Sequence, residues 1–314
     1  QGVHFLPLFF SKKARTVDGF LKVLGFVFFI FLGYVLRRTH ILKEDTVHAL
    51  SGLLLYVTLP CLILRSLNGL TFELSYLWLI ALGLLTNIFM VVIGYFLGKG
   101  DPQKKFFCML NLSGFNIGTF AMPFLQSFVS PLGFLSVCLF DIGNSIMCTG
   151  TTYAIASGTG KGWTLIKTIL ARMLSSGPIC SYIVMFTLAF IGWSFPPLIV
   201  DWAKVGAEAN TFLAMILLGQ SIKLNIPAEQ IKIILRLLVI RLVGSAIMSF
   251  ALYFLLPFPE EIRRTLAILA WAPVPVVALI FSIKAKCQPA MAANLNSISV
   301  ACSVIIVSIL LTFH

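Results

Sequence analysis

Two long apolar stretches of this chain are interrupted in their middles by helix breakers, and the interruptions fall at matching places in its two halves. The first reads Asn111-Leu-Ser-Gly-Phe-Asn116-Ile-Gly118-Thr-Phe-Ala-Met-Pro123 and the second Ala270-Trp-Ala-Pro273-Val-Pro275. A break at bilayer depth frees backbone N–H and C=O groups that hydrocarbon cannot satisfy, so it survives only where those groups line a protein-enclosed or watery site. Paired breaks of this kind point to a binding site near the membrane midplane.

Composition supplies the membrane. Of 314 residues, 59% are hydrophobic and 11% charged, whereas about a quarter of the residues of a soluble domain are charged. The expected fold is an all-α polytopic membrane protein. Ten spans near membrane length can be counted, at 18–37, 47–67, 74–98, 104–129, 131–156, 174–193, 198–223, 230–256, 262–284 and 289–313. Residues 1–17 form an N-terminal segment without a cleavable signal pattern. Too little chain remains for a separate soluble domain.

Sliding the sequence on itself by 157 residues sets Asn68 against Asn225, Pro102 against Pro259, Asn116 against Pro273 and Gly118 against Pro275; Pro131 meets Pro289 after one further residue. The common order and offset read as a duplication, with repeats of five spans at 18–156 and 174–314. An odd number of spans per repeat turns the second copy upside down in the membrane, the inverted repeat typical of alternating-access carriers. The joint, 157–173, starts Gly-rich and then places Trp163, Ile166, Ile169 and Leu170 opposite Lys167 and Arg172, as an interfacial helix would.

The net charge of +12 is spread over loops rather than gathered on one surface, which argues against nucleic acid. Loops after odd-numbered spans hold most of the basic residues, among them Arg37, Lys43, Lys99, Lys104, Lys161, Arg172, Lys223, Arg236, Lys284 and Lys286. The opposite loops hold Arg65, Lys204, Arg263 and Arg264. By the positive-inside rule the basic loops are cytoplasmic, which puts both termini on the other side of a cell membrane, although the run Lys12, Lys13, Arg15 and Lys22 pulls the other way. The seven cysteines fall in or at the ends of spans without paired spacing, and His4, His40, His48 and His314 are scattered. No metal site is expected from them.

At this point the residues resemble a known family. Leu59-Pro60, Gly114-Phe-Asn116-Ile-Gly118 with Pro123, Asp141-Ile-Gly-Asn144, Leu218-Gly219 and the Pro273/Pro275 element, taken in order, are similar to the auxin efflux carrier family, which includes bacterial members annotated for malonate or malate. The resemblance covers the chain from about residue 18 onward. It implies ten transmembrane helices as two inverted five-helix repeats, with a scaffold from spans 1, 2, 6 and 7 and a transport domain from spans 3–5 and 8–10. In that fold, spans 4 and 9 cross at their unwound centres. The long hydrophilic loop of the plant auxin exporters is missing, so auxin itself is not implied.

The residues then sort by chemistry. Half-helices that begin at the breaks present free N–H groups and positive dipole ends, which suit a carboxylate. Ser113, Asn116, Gly118, Pro273 and Pro275 are the expected substrate-binding positions; the competing reading is two kinked, packed helices. Pro123 reads as an ordinary kink, and Asn111 as a helix–helix hydrogen bond. Asp141 is an acid in mid-span with Asn144 on the same face, so it either holds a sodium ion, carries a proton, or stays neutral for packing. Glu208 is a second intramembrane acid with a structural, gating or proton role. Arg241 and Arg236 have acids or an anionic substrate as candidate partners, while snorkelling explains Arg236 equally well. Asn294, Asn296 and Ser297 stand roughly where Asp141 and Asn144 stand in the first repeat, and the two asparagines cannot share one face. Phenylalanine is expected to face mainly lipid.

The expected function is secondary active transport of a small organic anion, a carboxylate, by alternating access at the span 4/9 crossover. A sodium-coupled symporter of the bile-acid type and a membrane sensor that binds without flux are the alternatives. An enzyme is not expected: there is no nucleophile–base pair or metal cluster, and Gly158-Thr-Gly160-Lys-Gly162 lacks the spacing of a nucleotide-binding loop. No cofactor is expected beyond a sodium ion or proton as coupling ion. Expected partners are the carboxylate substrate, the lipid bilayer and a second copy of the chain through the scaffold, with no nucleic acid.

Overall fold

Apolar runs this long can satisfy their backbone inside lipid only as helices, and every described element is helical. The computed structural model describes residues 6–71, 73–158, 162–222 and 226–312, with backbone alone at 6–16, 44 and 45. In chain order, α1 is Leu6–Arg38; α2 (Glu44–Leu53) and α3 (Leu59–Leu67) are joined by a π-helical turn, Leu54–Thr58; α4 is Trp78–Leu97. Then come α5 (Pro102–Leu112), a π turn Ile117–Ala121 leading into α6 (Met122–Leu125), and α7 (Pro131–Ile146) joined through a π turn, Met147–Thr151, to α8 (Thr152–Ser157). The second half contains α9 (Gly162–Leu174), α10 (Gly177–Phe190), α11 (Pro197–Ser221), α12 (Ala228–Phe254), α13 (Glu260–Leu269), α14 (Val276–Lys284) and α15 (Pro289–Thr312).

Among the described residues, six stretches are long and apolar enough to cross a membrane: Val17–Arg38, Thr46–Leu67, Leu74–Leu97, Pro131–Ser157, Ala228–Phe254 and Pro289–Thr312. A seventh is reached if α9 and α10, bent by 83° at their joint, are taken together. The chain is therefore a multi-pass membrane protein. The remainder of the ten expected spans are of another kind. The first half of α11 carries Asp201, Lys204 and Glu208. The two interrupted stretches are split into half-helices of 11 residues for α5, 10 for α13 and 9 for α14; at 1.5 Å per residue each reaches about half of a roughly 30 Å hydrocarbon core.

Local breaks have local causes. Pro60 brings no N–H and its ring crowds the carbonyl four residues back, so the helix widens into the π turn that precedes it. The α7–α8 rod widens at Gly150, whose φ of 145° lies outside the helical range. Arg172 of α9 reaches into this turn and donates a 2.7 Å hydrogen bond to the Thr149 carbonyl. The rest of α9 keeps Trp163, Ile166 and Leu170 exposed, as a helix lying at the membrane surface would. Of the joint expected at 157–173, residues 159–161, including Lys161, lie outside the described residues, as do Lys223 and Asn225.

Without a hydrophobic force between helices in lipid, close backbone approach holds the bundle, and glycines supply it reciprocally. A methyl group at Gly33 of α1 would run into the Ile216 carbonyl of α11, and one at Gly219 of α11 into the Ile30 carbonyl of α1. Gly83 of α4 and Gly143 of α7 stand in the same relation, against the carbonyls of Phe140 and Ile80. So α1 packs along α11, with α3 between α11 and α10, while α4 packs along α7 and α5, and α12 along α13. Phenylalanine divides between both environments: Phe28, Phe31 and Phe250 face outward, whereas Phe107, Phe115, Phe120, Phe124 and Phe140 are buried. The broken segments enclose a protein interior that needs large side chains as much as the lipid face does.

Candidate functional site

The first break is written into the backbone. Asp101 caps the start of α5, its Oδ1 accepting from the N–H groups of Gln103 at 2.9 Å and Lys104 at 3.1 Å. The helix stops at Leu112 because Ser113 is extended and Gly114 turns to a φ of 78°, a region that a side chain strongly disfavours. Space excludes a side chain as well: a Cβ at Gly114 would sit 2.7 Å from the Pro275 ring and 2.9 Å from the Cys148 sulfur. Asn116 restarts the chain as a helix, its Oδ1 accepting from the Thr119 hydroxyl at 2.5 Å. In the second break, Pro273 and Pro275 lack the N–H that a continuous helix needs, and α14 begins after Pro275.

The two breaks touch. The Asn116 N–H donates to the Pro273 carbonyl at 3.0 Å. Asn144 of α7 treats Phe115 as a neighbouring strand would, donating from Nδ2 to its carbonyl at 3.0 Å and accepting its N–H on Oδ1 at 3.0 Å. In the other half, α15 does the same for Val274 with two residues: Asn296 Nδ2 donates to the carbonyl at 2.8 Å and Ser299 Oγ accepts the N–H at 3.1 Å. The N–H and carbonyl of Phe115 and of Val274 are thereby satisfied by side chains from the helix behind each break, which is the condition for burying them at all.

Arg241 of α12 joins the breaks from one side. Its guanidinium, buried at 3% exposure, donates to the carbonyls of Leu112 at 2.5 Å, Gly114 at 2.7 Å and Ala272 at 3.0 Å. These carbonyls lie at the C-terminal ends of the half-helices α5 and α13, where the dipole is negative. Of the partners weighed for Arg241 in the sequence, Asp141, Glu208 or an anionic substrate, the two acids are not the ones it meets: its donors go to the backbone carbonyls that the breaks release. Arg236, one turn and more away, is exposed.

Among the described residues, the Asn116 side chain keeps one donor unused. Its Nδ2 is buried and meets no acceptor, beside a half-helix whose first N–H groups have no partner within their own helix. Gly118 lies in that first turn, 3.3 Å in prospective Cβ contact from the Leu59 side chain, so α3 covers it. The other expected positions separate. Ser113 returns its hydroxyl to the Met109 carbonyl at 2.7 Å, and Asn111 ties α5 to α14 through Ser282 at 3.2 Å. Asn294 is buried on α15, on a different face from Asn296.

Asp141 is held by two donors, Asn144 Nδ2 to Oδ1 at 3.0 Å and the Tyr182 hydroxyl of α10 to Oδ2 at 3.0 Å. Glu208 has other partners. Its half-exposed side chain stands 3.9 Å from both Arg65 and Lys204, at a cavity of about 610 Å³ between α1, α3 and α11 on one side and residues 126–134 on the other. At the cavity, Gln126 Nε2 hydrogen-bonds to the Thr211 hydroxyl. Sequence reasoning missed Tyr182, Ser299 and this cavity. A single tyrosine in an otherwise apolar segment was the available signal for the first; serines are too common in membrane helices to flag the second, and the third exists only where distant segments meet.

No protein-family model matches the chain. Over 213 residues, covering 64% of this chain and 68% of the other, it is 24% identical to the uncharacterized transporter MJ1031 of Methanocaldococcus jannaschii, so its likeness is to a protein named for transport.

Proposed function

We propose that the protein is a secondary carrier for a small organic anion, binding a carboxylate where the two broken segments cross and exposing it to each side of the membrane in turn. The observation that carries this reading is the unused, buried Nδ2 donor of Asn116 at the start of a half-helix. A donor left over beside a positive helix end is complementary to an anion. Arg241 meanwhile neutralises the negative ends of α5 and α13, so the positive ends are the ones left for a ligand. The similarity to a transporter and the resemblance to auxin efflux carriers agree with this assignment.

In this reading the chain has ten spans as two inverted repeats, counting α11, α10 and the two broken pairs with the six continuous stretches. Helices α1, α2–α3, α10 and α11 form a scaffold; α4–α8 and α12–α15 form the part that moves. Two features support the division: α1 and α3 pack on α11, and α4 packs on α5 and α7, each set locked by its own glycine pair. Asp141 is the coupling group. Both its oxygens already accept hydrogen bonds, which suits a proton better than a sodium ion, since sodium would have to displace a donor. Both termini lie on the non-cytoplasmic side, by the distribution of Lys and Arg.

Reconstitution tests it. Liposomes containing the protein and loaded with unlabelled benzoate or succinate are expected to accumulate the labelled form transiently by counterflow, and Asn116→Ala to weaken this while leaving the purified protein folded. Binding without flux in either direction would replace the carrier with a sensor.

A further inference from the structure

We propose that the cavity beside Arg65 is a second, outer binding site, built for a small monoanion with an apolar body and separate from the crossover. Its volume of about 610 Å³ falls within the range of roughly 300–1,000 Å³ for small-molecule sites. Phe26, Leu62 and Phe134 form apolar walls, while Gln126, Ser127 and Thr211 contribute polar groups. None of Ser113, Asn116, Gly118, Pro273 or Pro275 lines it. The Gln126–Thr211 hydrogen bond, with the Thr211 hydroxyl 3.4 Å from the Pro123 carbonyl, ties α11 to the end of the half-helix that leads down to Asn116.

Charge selects the ligand. Arg65 of α3 and Lys204 of α11 converge on Glu208, each 3.9 Å from the same Oε1. These contacts are long and half-exposed, so they are weak enough for Arg65, which lines the cavity, to exchange Glu208 for a ligand carboxylate. A second negative charge would be repelled. Glu208 is on the lining, and Glu261 stands behind it with Oε1 accepting the Ser130 N–H at 3.1 Å. The site therefore favours a monocarboxylate over a dicarboxylate, with the ring or chain of the ligand against Phe26 and Phe134. Its role as a station on the way to the crossover rests on the carrier reading; its occupancy does not.

A local readout separates the two. Ser127→Cys puts a thiol on the cavity wall, and its rate of reaction with a maleimide is measured on the purified full chain, with the parent protein as the blank. Benzoate is expected to slow labelling, succinate and benzyl alcohol to do so roughly tenfold less well, and Arg65→Gln in the same background to weaken protection by about tenfold, the loss expected for one charge-assisted hydrogen bond. Asn116→Ala in that background should leave protection intact. The proposal is overturned if benzoate gives no protection, if Arg65→Gln protects as well as its parent, if succinate equals benzoate, or if Asn116→Ala removes protection. Protection that vanishes in nanodiscs when zwitterionic lipid is replaced by anionic lipid would assign the site to a lipid headgroup and also overturn it. Protection without any flux in liposomes upholds this site while removing the carrier reading; flux with unprotected labelling does the reverse.

Discussion

The hydroxyl of Tyr182 donates a 3.0 Å hydrogen bond to Oδ2 of Asp141, and this contact connects α10 to α7 across the boundary between the two proposed units. It continues inward: Asp141 holds Asn144, and Asn144 holds the Phe115 peptide inside the first break. Movement of one unit against the other has to break the first link of that chain.

Tyr182→Phe removes one of the two donors to a buried carboxyl and is expected to destabilise the protein by about 1–3 kcal/mol, read as a lower melting temperature in detergent. Asp141→Asn should be milder, because the new amide oxygen still accepts from Asn144 and its NH₂ can donate to the tyrosine oxygen. That variant should nonetheless lose gradient-driven accumulation while counterflow survives, since an amide cannot carry the coupled charge. Accumulation at the parental rate would remove Asp141 from coupling.

Arg241→Met leaves the carbonyls of Leu112, Gly114 and Ala272 without their donor in a buried setting. At about 1–3 kcal/mol for each orphaned group, the two breaks should lose their common anchor, and little monodisperse protein is expected on size exclusion. Arg241→Lys keeps the charge but not the fork that spans two helix ends, so it should recover only part of the loss. A lysine variant as stable as the parent would show that charge alone, not geometry, holds the crossover.

Two of the glycines with positive φ, Gly114 and Gly100, separate backbone strain from crowding. Both have positive φ, 78° and 96°, but a Cβ at Gly100 meets nothing within 4 Å, whereas one at Gly114 meets Pro275 and Cys148. Gly100→Ala should cost about 1–2 kcal/mol from conformation alone. Gly114→Ala adds the overlap and should also weaken ligand binding, because it pushes the breaks apart. Equal effects of the two in a thermal melt would sink the claim that the breaks are in tight contact.

Asn144→Ala and Asn296→Ala test the likeness of the two halves. The first leaves the N–H of Phe115 unpaired, while its carbonyl keeps the Ile117 N–H; the second leaves the Val274 carbonyl unpaired, since Ser299 keeps the N–H. Asn144→Ala should therefore be the more damaging by about 1 kcal/mol, the worth of the hydrogen bond that Asn144 also donates to Asp141. Asn296→Ala combined with Ser299→Ala should close the gap, as measured by urea or heat unfolding of the purified variants.

Periodicity, breakers and charge bias are local properties of a sequence, and they determined a helical membrane protein, the ends of its continuous spans to within a few residues, and the two places where helices stop. Gly114, Pro273 and Pro275 act on their own backbones, so their effect is legible one residue at a time. What those breaks do with their freed peptides depends on which side chains arrive from elsewhere. Asn144 and Asn296 could be marked as polar residues in apolar spans, but that each would hold a peptide of the break in its own half needed the packing of α7 and α15 behind them. Arg241 shows the same limit: in sequence it looks like half of an ion pair, and only the crossing of α5 and α13 beneath α12 presents it with three carbonyls instead. Glu208 reads as an intramembrane acid from its span and becomes a half-exposed partner of Arg65 because the last turn of α3 packs beside the middle of α11. Helix formation is decided within a few residues by hydrogen bonds four apart, whereas partner choice is decided between distant segments, as where Arg37 bonds to the Ile222 carbonyl 185 residues away, and only the tertiary structure sets it.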